Sequence, residues 1–417
     1  THPAFARKDD GVQLSVSNAA FRNARAPCFA QLHASREPLH LRVPFLGTAP
    51  VAYRHADVVQ ILRDTAAFAV NPKTAGKSGR LGFMWWMPRA FKRLGDNMLG
   101  QDGADHKRLR RLVNHAFNKR GLSDLRTSIR ALTEETLAPH IASGAPFDLV
   151  STLARPLPLR VIADLLGLDR ARLLEFARIA PRVVTLETSW HFARMVPAVF
   201  AMNRLLSEEA EAARRGDRGG LIREIVTSDP DGDALDDDEI VTMLFLLLFA
   251  GHETTVHLIS TAVRALCLAG DTVAFPDGPA SDVTPAQGAA VNELMRYCSP
   301  VEITEPRYAI ADTEIAGHML KRGAPVLIFL SAANRDPDVF DAPDALHLDR
   351  APNPHVGFGG GPHVCLGAEL ARMEAAIALN ALFNGTRRIA LVDPDATPRW
   401  QYSPGFHGHA SLMVRFV

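Results

Sequence analysis

Apolar and polar positions alternate at two different periods along this chain, and the helical period dominates. Residues 41–53 (Leu-Arg-Val-Pro-Phe-Leu-Gly-Thr-Ala-Pro-Val-Ala-Tyr) predict two short strands around a turn at Gly47. A short helix over roughly 55–63 follows, with Val58, Val59, Ile61 and Leu62 on it. Helical spacing returns at about 124–142, 159–166, 170–187, 190–215 and 286–297, with breaks rich in Gly and Asp around 216–220 and 228–237. The longest helical pattern covers about 238–269. Its acidic first turn, Asp236-Asp237-Asp238-Glu239, suits the helix dipole, and Ile240 to Phe249 is apolar almost all round, which predicts burial on all sides. Strand character reappears at Val326 to Leu330 and at Leu412 to Phe416. Residues 71–103 are irregular, a length that is usually functional or disordered. Phe83, Met84, Trp85, Trp86 and Met87 argue against disorder, because so much aromatic surface seeks burial. The fold class is mainly α with a small β region. We expect one domain over 1–417, opened by an N-terminal segment of about 1–40.

Composition narrows the function. Lys plus Arg and Asp plus Glu both total 46, so no global field draws the chain to nucleic acid or to anionic lipid. The four cysteines (Cys28, Cys267, Cys298, Cys365) have no CxxC or metal-ligand spacing, which argues against a disulfide scaffold or a zinc site and for a reducing compartment. Thr1 to Asp10 carries no apolar run of a signal peptide or membrane anchor, and Met243 to Ala250 is too short to span a bilayer. A cytoplasmic protein is expected.

One stretch concentrates chemistry: Phe358-Gly359-Gly360-Gly361-Pro362-His363-Val364-Cys365-Leu366-Gly367. Beyond it Leu366, Leu370, Met373 and Ile377 recur at helical spacing, in a helix running to about 383. Cys365 therefore sits at or just before a helix N-terminus, where unpaired N–H groups and the dipole favour a thiolate. The glycines permit tight folding around the sulfur and close approach of something flat. Phe358 offers an apolar wall and His363 a donor. A thiolate so held suits the axial position of a haem iron. The competing readings are a buried structural cysteine and a nucleophile, and no cysteine-protease signature is visible. The order Phe-Gly-x-Gly-x-His-x-Cys-x-Gly has a chance occurrence on the order of 10⁻⁵ in a chain this long. It resembles the haem-binding loop of the cytochrome P450 monooxygenases at every fixed position.

That resemblance implies the P450 fold, with haem b between the long central helix (238–269) and the helix after the cysteine loop (358–383). It also gives meaning to Ala250-Gly251-His252-Glu253-Thr254-Thr255, polar groups midway along a buried helix that are costly unless paired or functional. One reading is satisfied polar residues facing neighbouring helices. A zinc protease fails, because His257 follows His252 by five residues and the two imidazoles point about 140° apart. The stretch is similar to the family's oxygen-activating helix. Small residues at Ala250 and Gly251 then leave room for O2, Thr254 holds a water, and Glu253 helps deliver protons for O–O cleavage.

Further positions join by resemblance. Glu293 and Arg296 form the family's ExxR pair, with Arg350 or His355 as third member; the sequence does not choose between them. Arg307, His106, Arg110 and His363 are the expected donors to the haem propionates. A lipophilic small-molecule substrate is expected in a pocket drawing on Trp85, Trp86, Phe249, Val301, Ile303 and Phe406. Lys107, Arg108, Arg111 and Arg372 are candidates to dock an acidic ferredoxin-type electron donor, itself served by a reductase. The resemblance runs from about residue 40 to the C-terminus and thins at 270–285, where Pro and Gly replace a helical pattern. The expected reaction is insertion of one oxygen atom into a C–H bond. Desaturation, oxidative coupling and peroxide-driven oxidation are rivals on the same iron, and a non-catalytic haem-based binder or sensor is a rival of another class.

Overall fold

The structure is a computed structural model. It describes residues 4–8, 11–14, 19–43, 47–77, 97–120, 123–184, 189–228, 234–279, 282–385, 388–401 and 405–417. Trp85, Trp86 and most of the irregular 71–103 stretch lie outside the described residues. The chain divides into two compact units. Unit one holds Thr1–Arg80, Thr133–Ala154 and Thr254–Val417; unit two holds Leu81–Leu132 and Arg155–Glu253.

Unit one contains the β structure. Its larger sheet runs in the order Phe5–Lys8, Gly11–Leu14, Leu39–Val43, Gly47–Ala52, Pro325–Ile328, Arg307–Ala309, Phe68–Ala69. Leu39 pairs with Val51 and Val43 with Gly47, so the expected hairpin forms with Gly47 opening the second strand. Successive strand residues serve opposite faces, as the pleat requires. Val51 and Leu327 join a core with Leu39, Leu41 and the rings of Phe21, Phe29 and Phe329, which meet at 5.7–6.1 Å. Their neighbours Ala52, Val326 and Ile328 join a second core with Val58, Ile61 and Leu62. Those three lie on the helix His55–Arg63, placed where the pattern predicts it.

The Pro- and Gly-rich departure at 270–285 is anchored rather than helical. After one turn, Gly270–Thr272, residues 273–279 and 282–284 form no helix or strand, and Thr284 opens Pro285–Cys298 through a capping box with Gln287. The same Gln287 amide bonds the Pro276 carbonyl at 3.1 Å and Asn380 at 2.9 Å. This ties the segment to Ala368–Leu382, the helix after the cysteine loop, against which Pro285–Cys298 packs.

Unit two is helical in its described residues. Gly103–Arg120, Pro156–Leu166, Arg170–Val184 and Ser189–Arg215 are its main elements. A helix that the sequence pattern misses, Gly220–Thr227, sits between the two predicted breaks. It buries Leu221, Ile222 and Ile225 and packs on Gly103–Arg120, Pro156–Leu166 and Ser189–Arg215. Gly167 ends Pro156–Leu166 at φ +86°, where a Cβ would run into the Gly219 carbonyl oxygen.

The central helix is Asp237–Ala269. Asp236 caps it reciprocally with Glu239: the Glu239 N–H donates to the Asp236 carboxylate at 2.8 Å and the Asp236 N–H to Glu239 at 3.0 Å. It is long and apolar enough to cross a membrane, but two-thirds of its most apolar window is buried inside the protein, as in a core helix. Burial is not complete all round, in contrast to the pattern-based expectation. Phe245 and Phe249 are half-buried, and Ala250 and Thr254, one turn apart on one face, are exposed and half-buried. Small and polar side chains replace apolar ones on that strip, so the pattern itself changes there.

Candidate active site

The cysteine loop is built by its own backbone within unit one. Cys365 N–H donates to the Phe358 carbonyl at 2.8 Å, and Gly359 N–H to that of Val356 at 2.8 Å. Gly359 and Gly361 have φ +72° and +62°, in the left-handed region. At 361 a Cβ would collide with the Leu62 carbonyl oxygen, so only glycine lets the loop lie this close to the helix His55–Arg63. His363 lies in the single turn Gly361–His363, and Gly367 is the N-cap of Ala368–Leu382. Cys365 stands three residues before that helix, and its side chain is exposed. The other three cysteines are different. Burial pushes the thiols of Cys28, Cys267 and Cys298 up to about 11, away from the thiolate. Phe358 is half-buried, with the Arg372 guanidinium 4.5 Å from its ring centre.

The loop is braced from behind. Glu293 and Arg296 are fully buried and joined by two bonds of 2.7 and 2.8 Å. Arg350, not His355, closes on Glu293, with Nε 3.1 Å from both carboxylate oxygens. The His347 N–H at 3.0 Å and Asn353 at 3.2 Å complete the carboxylate's shell. Burial opposes the charge of Glu293, but these donors, Arg296 foremost, outweigh it and hold the carboxyl below its usual range. Arg296 also donates to the carbonyls of Asn334, Pro343 and Ala345. Asn334, fully buried, accepts the Val356 N–H at 2.8 Å, so the brace reaches the start of the loop. Nothing in the local sequence marks Asn334 for this. His355 instead contacts Asn292 at 3.4 Å and accepts the Gly357 N–H at 3.2 Å.

Three predicted pocket residues also come together in unit one. Val301 bridges Phe406, and Ile303 bridges Phe329; the Phe406 ring lies 6.0 Å from that of His257. Between them Glu302 turns the other way and pairs with Arg25 at 3.1 Å. Arg307 is buried, with Nη1 donating to the Glu305 carbonyl at 3.0 Å.

In unit two, His106 is buried and Arg110 half-buried on the same helix face. Burial first, then the Arg110 charge, keeps the His106 imidazole pKa below its usual value. Arg108, a candidate contact for the electron donor, forms an ion pair with Glu239. Arg372 in unit one is likewise engaged, bonding Asn292 at 2.8 Å and Glu369 at 2.6 Å. Lys107 and Arg111 are exposed. Glu253 is buried, with an oxygen 3.8 Å from Arg155 Nη1 and 3.6 Å from His252 Nδ1. Arg155, 98 positions away in sequence, was not legible from any local pattern. Gly251 faces Ile162, where a Cβ would stand 3.1 Å from its Cδ1, so closeness to that side chain is one reason for glycine there. Phe249 stacks on Phe245 at 6.0 Å.

These donors fit a haem. Of the four cysteines only Cys365 is exposed, on a glycine loop closed by its own backbone bonds, while Cys28 and Cys298 are buried, Cys267 is half-buried, and burial holds all three as the thiol. Among the described residues no three His, Cys, Asp or Glu side chains form a metal cage, and a porphyrin iron asks for only one protein ligand on this side.

Comparison with known proteins agrees. The cytochrome P450 family model matches residues 285–385, the stretch holding the Glu293 brace and the cysteine loop. The chain is 35% identical over 321 residues to the polyketide biosynthesis cytochrome P450 PksS of Bacillus subtilis, covering 76% of this chain and 77% of the relative. It is 33% identical over 395 residues to nocardicin C N-oxygenase of Nocardia uniformis subsp. tsuyamanensis, covering 93% and 94%. Among solved structures, the myxobacterial cytochrome P450 CYP267B1 in complex with myristic acid superposes with a TM-score of 0.83 at 31% identity, covering 96% of this chain and 98% of that one. The chain belongs to the cytochrome P450 family. It is an oxidoreductase, a haem-thiolate monooxygenase of the bacterial kind, with relatives in secondary metabolism.

Proposed function

We propose that Cys365 would hold a haem b through its thiolate, in an enzyme acting on a lipophilic small molecule in the cytoplasm. The observation that carries this is the exposed Cys365 on a loop closed by its own backbone bonds and packed at Gly361 against the Leu62 backbone. When bound, haem supplies the iron at which O2 is cleaved with two electrons and two protons, one oxygen entering a substrate C–H bond and the other leaving as water.

The protein's residues do the rest. Phe358 and Gly359 shape the proximal wall, and the loop keeps the sulfur in one place. Arg307, His363, His106 and Arg110 are the propionate donors. Glu253 places a buried carboxyl beside Arg155 and His252 as the proposed proton-relay group, and Thr254 offers the hydroxyl one residue on. Val301, Ile303 and Phe406 in unit one and Phe249 in unit two are apolar, which suits a lipophilic substrate such as the fatty acid held by the structural neighbour. A ferredoxin with its reductase is the proposed electron source, with the basic residues Lys107, Arg108 and Arg111 of one helix and Arg372 as candidate contacts.

Turnover of haem-loaded protein under ¹⁸O2, with ferredoxin, reductase and myristic acid as first probe, tests this. One labelled oxygen per product is expected, and Thr254→Ala should lower product per O2 consumed by about 10-fold. Label entering from water, or unchanged coupling in the variant, contradicts these roles.

A further inference from the structure

Unit one carries a second cleft, of about 550 Å³, whose lining includes neither the cysteine loop nor residues 250–255. The second half of the central helix forms one wall, the end of Pro285–Cys298 another, and the C-terminal hairpin a third, with Trp400 paired to His409. Its volume is that of a site for a small organic molecule.

Three guanidinium groups line it, and two are spoken for. Arg25 pairs with Glu302 at 3.1 Å, and Arg335 with Asp344. Arg264 has no carboxylate partner among the described residues, although burial already holds its pKa below the usual range. His409 lines the same cleft, 1% exposed, with both ring nitrogens lacking a hydrogen-bond partner among the described residues. Burial first, then the Arg264 charge and His257, hold that imidazole at about 3, so it is a neutral ring with one N–H to give. Buried polar groups nearly always find partners. Here a half-buried cation and an unpartnered buried imidazole line the same opening. The rest of the helix wall is apolar: Ala265, Leu268 and Val273, with Leu268 48% exposed.

We propose that this cleft is a ligand site for a small organic acid, its carboxylate on Arg264 and His409 and its apolar body against Ala265, Leu268 and Val273. The site is independent of the haem reading, because it uses none of the same residues.

The test is calorimetric titration of the haem-loaded full chain with benzoate, using benzamide as the neutral isostere and following the haem absorption in parallel. Saturable benzoate binding is expected with no change in the haem spectrum, at least about 10-fold tighter than benzamide. Arg264→Leu should weaken it by about 10-fold or more. Leu268→Glu, at an exposed position where folding is undisturbed, should do the same by repulsion. Benzoate binding that survives both substitutions, that shifts the haem spectrum, or that is missing at about 10 mM overturns the proposal.

Discussion

Arg350 holds both oxygens of Glu293 through a single Nε at 3.1 Å, on a carboxylate already clamped by Arg296. The two arginines are not equivalent. Arg350→Ala leaves the buried pair intact and removes one charged donor, so a loss of about 1–3 kcal/mol is expected. Arg296→Ala removes the fully buried carboxylate's main partner and the donors to three carbonyls, with an expected loss of about 3–5 kcal/mol. Urea denaturation of the haem-loaded variants separates the two, and equal losses would contradict the brace described above.

His355 sits beside Arg372 and Arg296, and burial with these cations lowers its pKa from 6.5 to about 4. Between those values the unfolded chain binds a proton that the folded chain refuses. Stability therefore falls as pH drops through this window, by up to about 3 kcal/mol. His355→Gln should flatten that slope in denaturation curves taken from pH 7 to 4. A slope unchanged by the substitution would mean another group carries it.

Glu374, on the helix after the cysteine, acts in the opposite sense. Burial alone raises its carboxyl from 4.5 to about 8. The folded state keeps a proton that the unfolded state has already released, so stability is full below about 4.5 and falls as pH rises through 8. The loss is on the order of 5 kcal/mol across the window. Glu374→Gln should gain stability relative to the parent steadily from pH 5 to 8. A constant difference over that range would show that Glu374 does not titrate there.

Gly361 and Gly359 share a left-handed backbone but not a neighbourhood. Gly359→Ala meets only ordinary contact, 3.6 Å from the His363 carbonyl, and should cost about 1–2 kcal/mol of backbone strain. Gly361→Ala adds a collision with the Leu62 backbone and should cost clearly more, with haem lost on purification. Thermal melts of both variants check the order, and the reverse order would mean the loop is free to shift from the helix His55–Arg63.

What could be read in advance was what lies close in sequence. The helices His55–Arg63, Asp237–Ala269 and Pro285–Cys298 appear within a residue or two of their periodic patterns, because caps and apolar spacing are local. Gly220–Thr227 was hidden because eight residues between glycine- and aspartate-rich breaks give barely two turns of pattern; its burial comes from three other helices. The third partner of Glu293 was undecided for the same reason. Arg350 and His355 are both near in sequence to the loop, and only a fold that joins positions 57 apart chooses between them. Arg155 beside Glu253, and Arg264 with His409, are likewise meetings of distant segments that carry no motif.

The most direct test of the central claim is the Soret band of the haem-loaded, reduced protein under carbon monoxide. A strongly red-shifted band, lost in Cys365→Ser, is predicted, because it reports a thiolate on iron and Cys365 is the one exposed cysteine of the four. A band at the position of histidine-ligated or free haem in the unaltered protein would contradict ligation by Cys365 and the roles assigned around it.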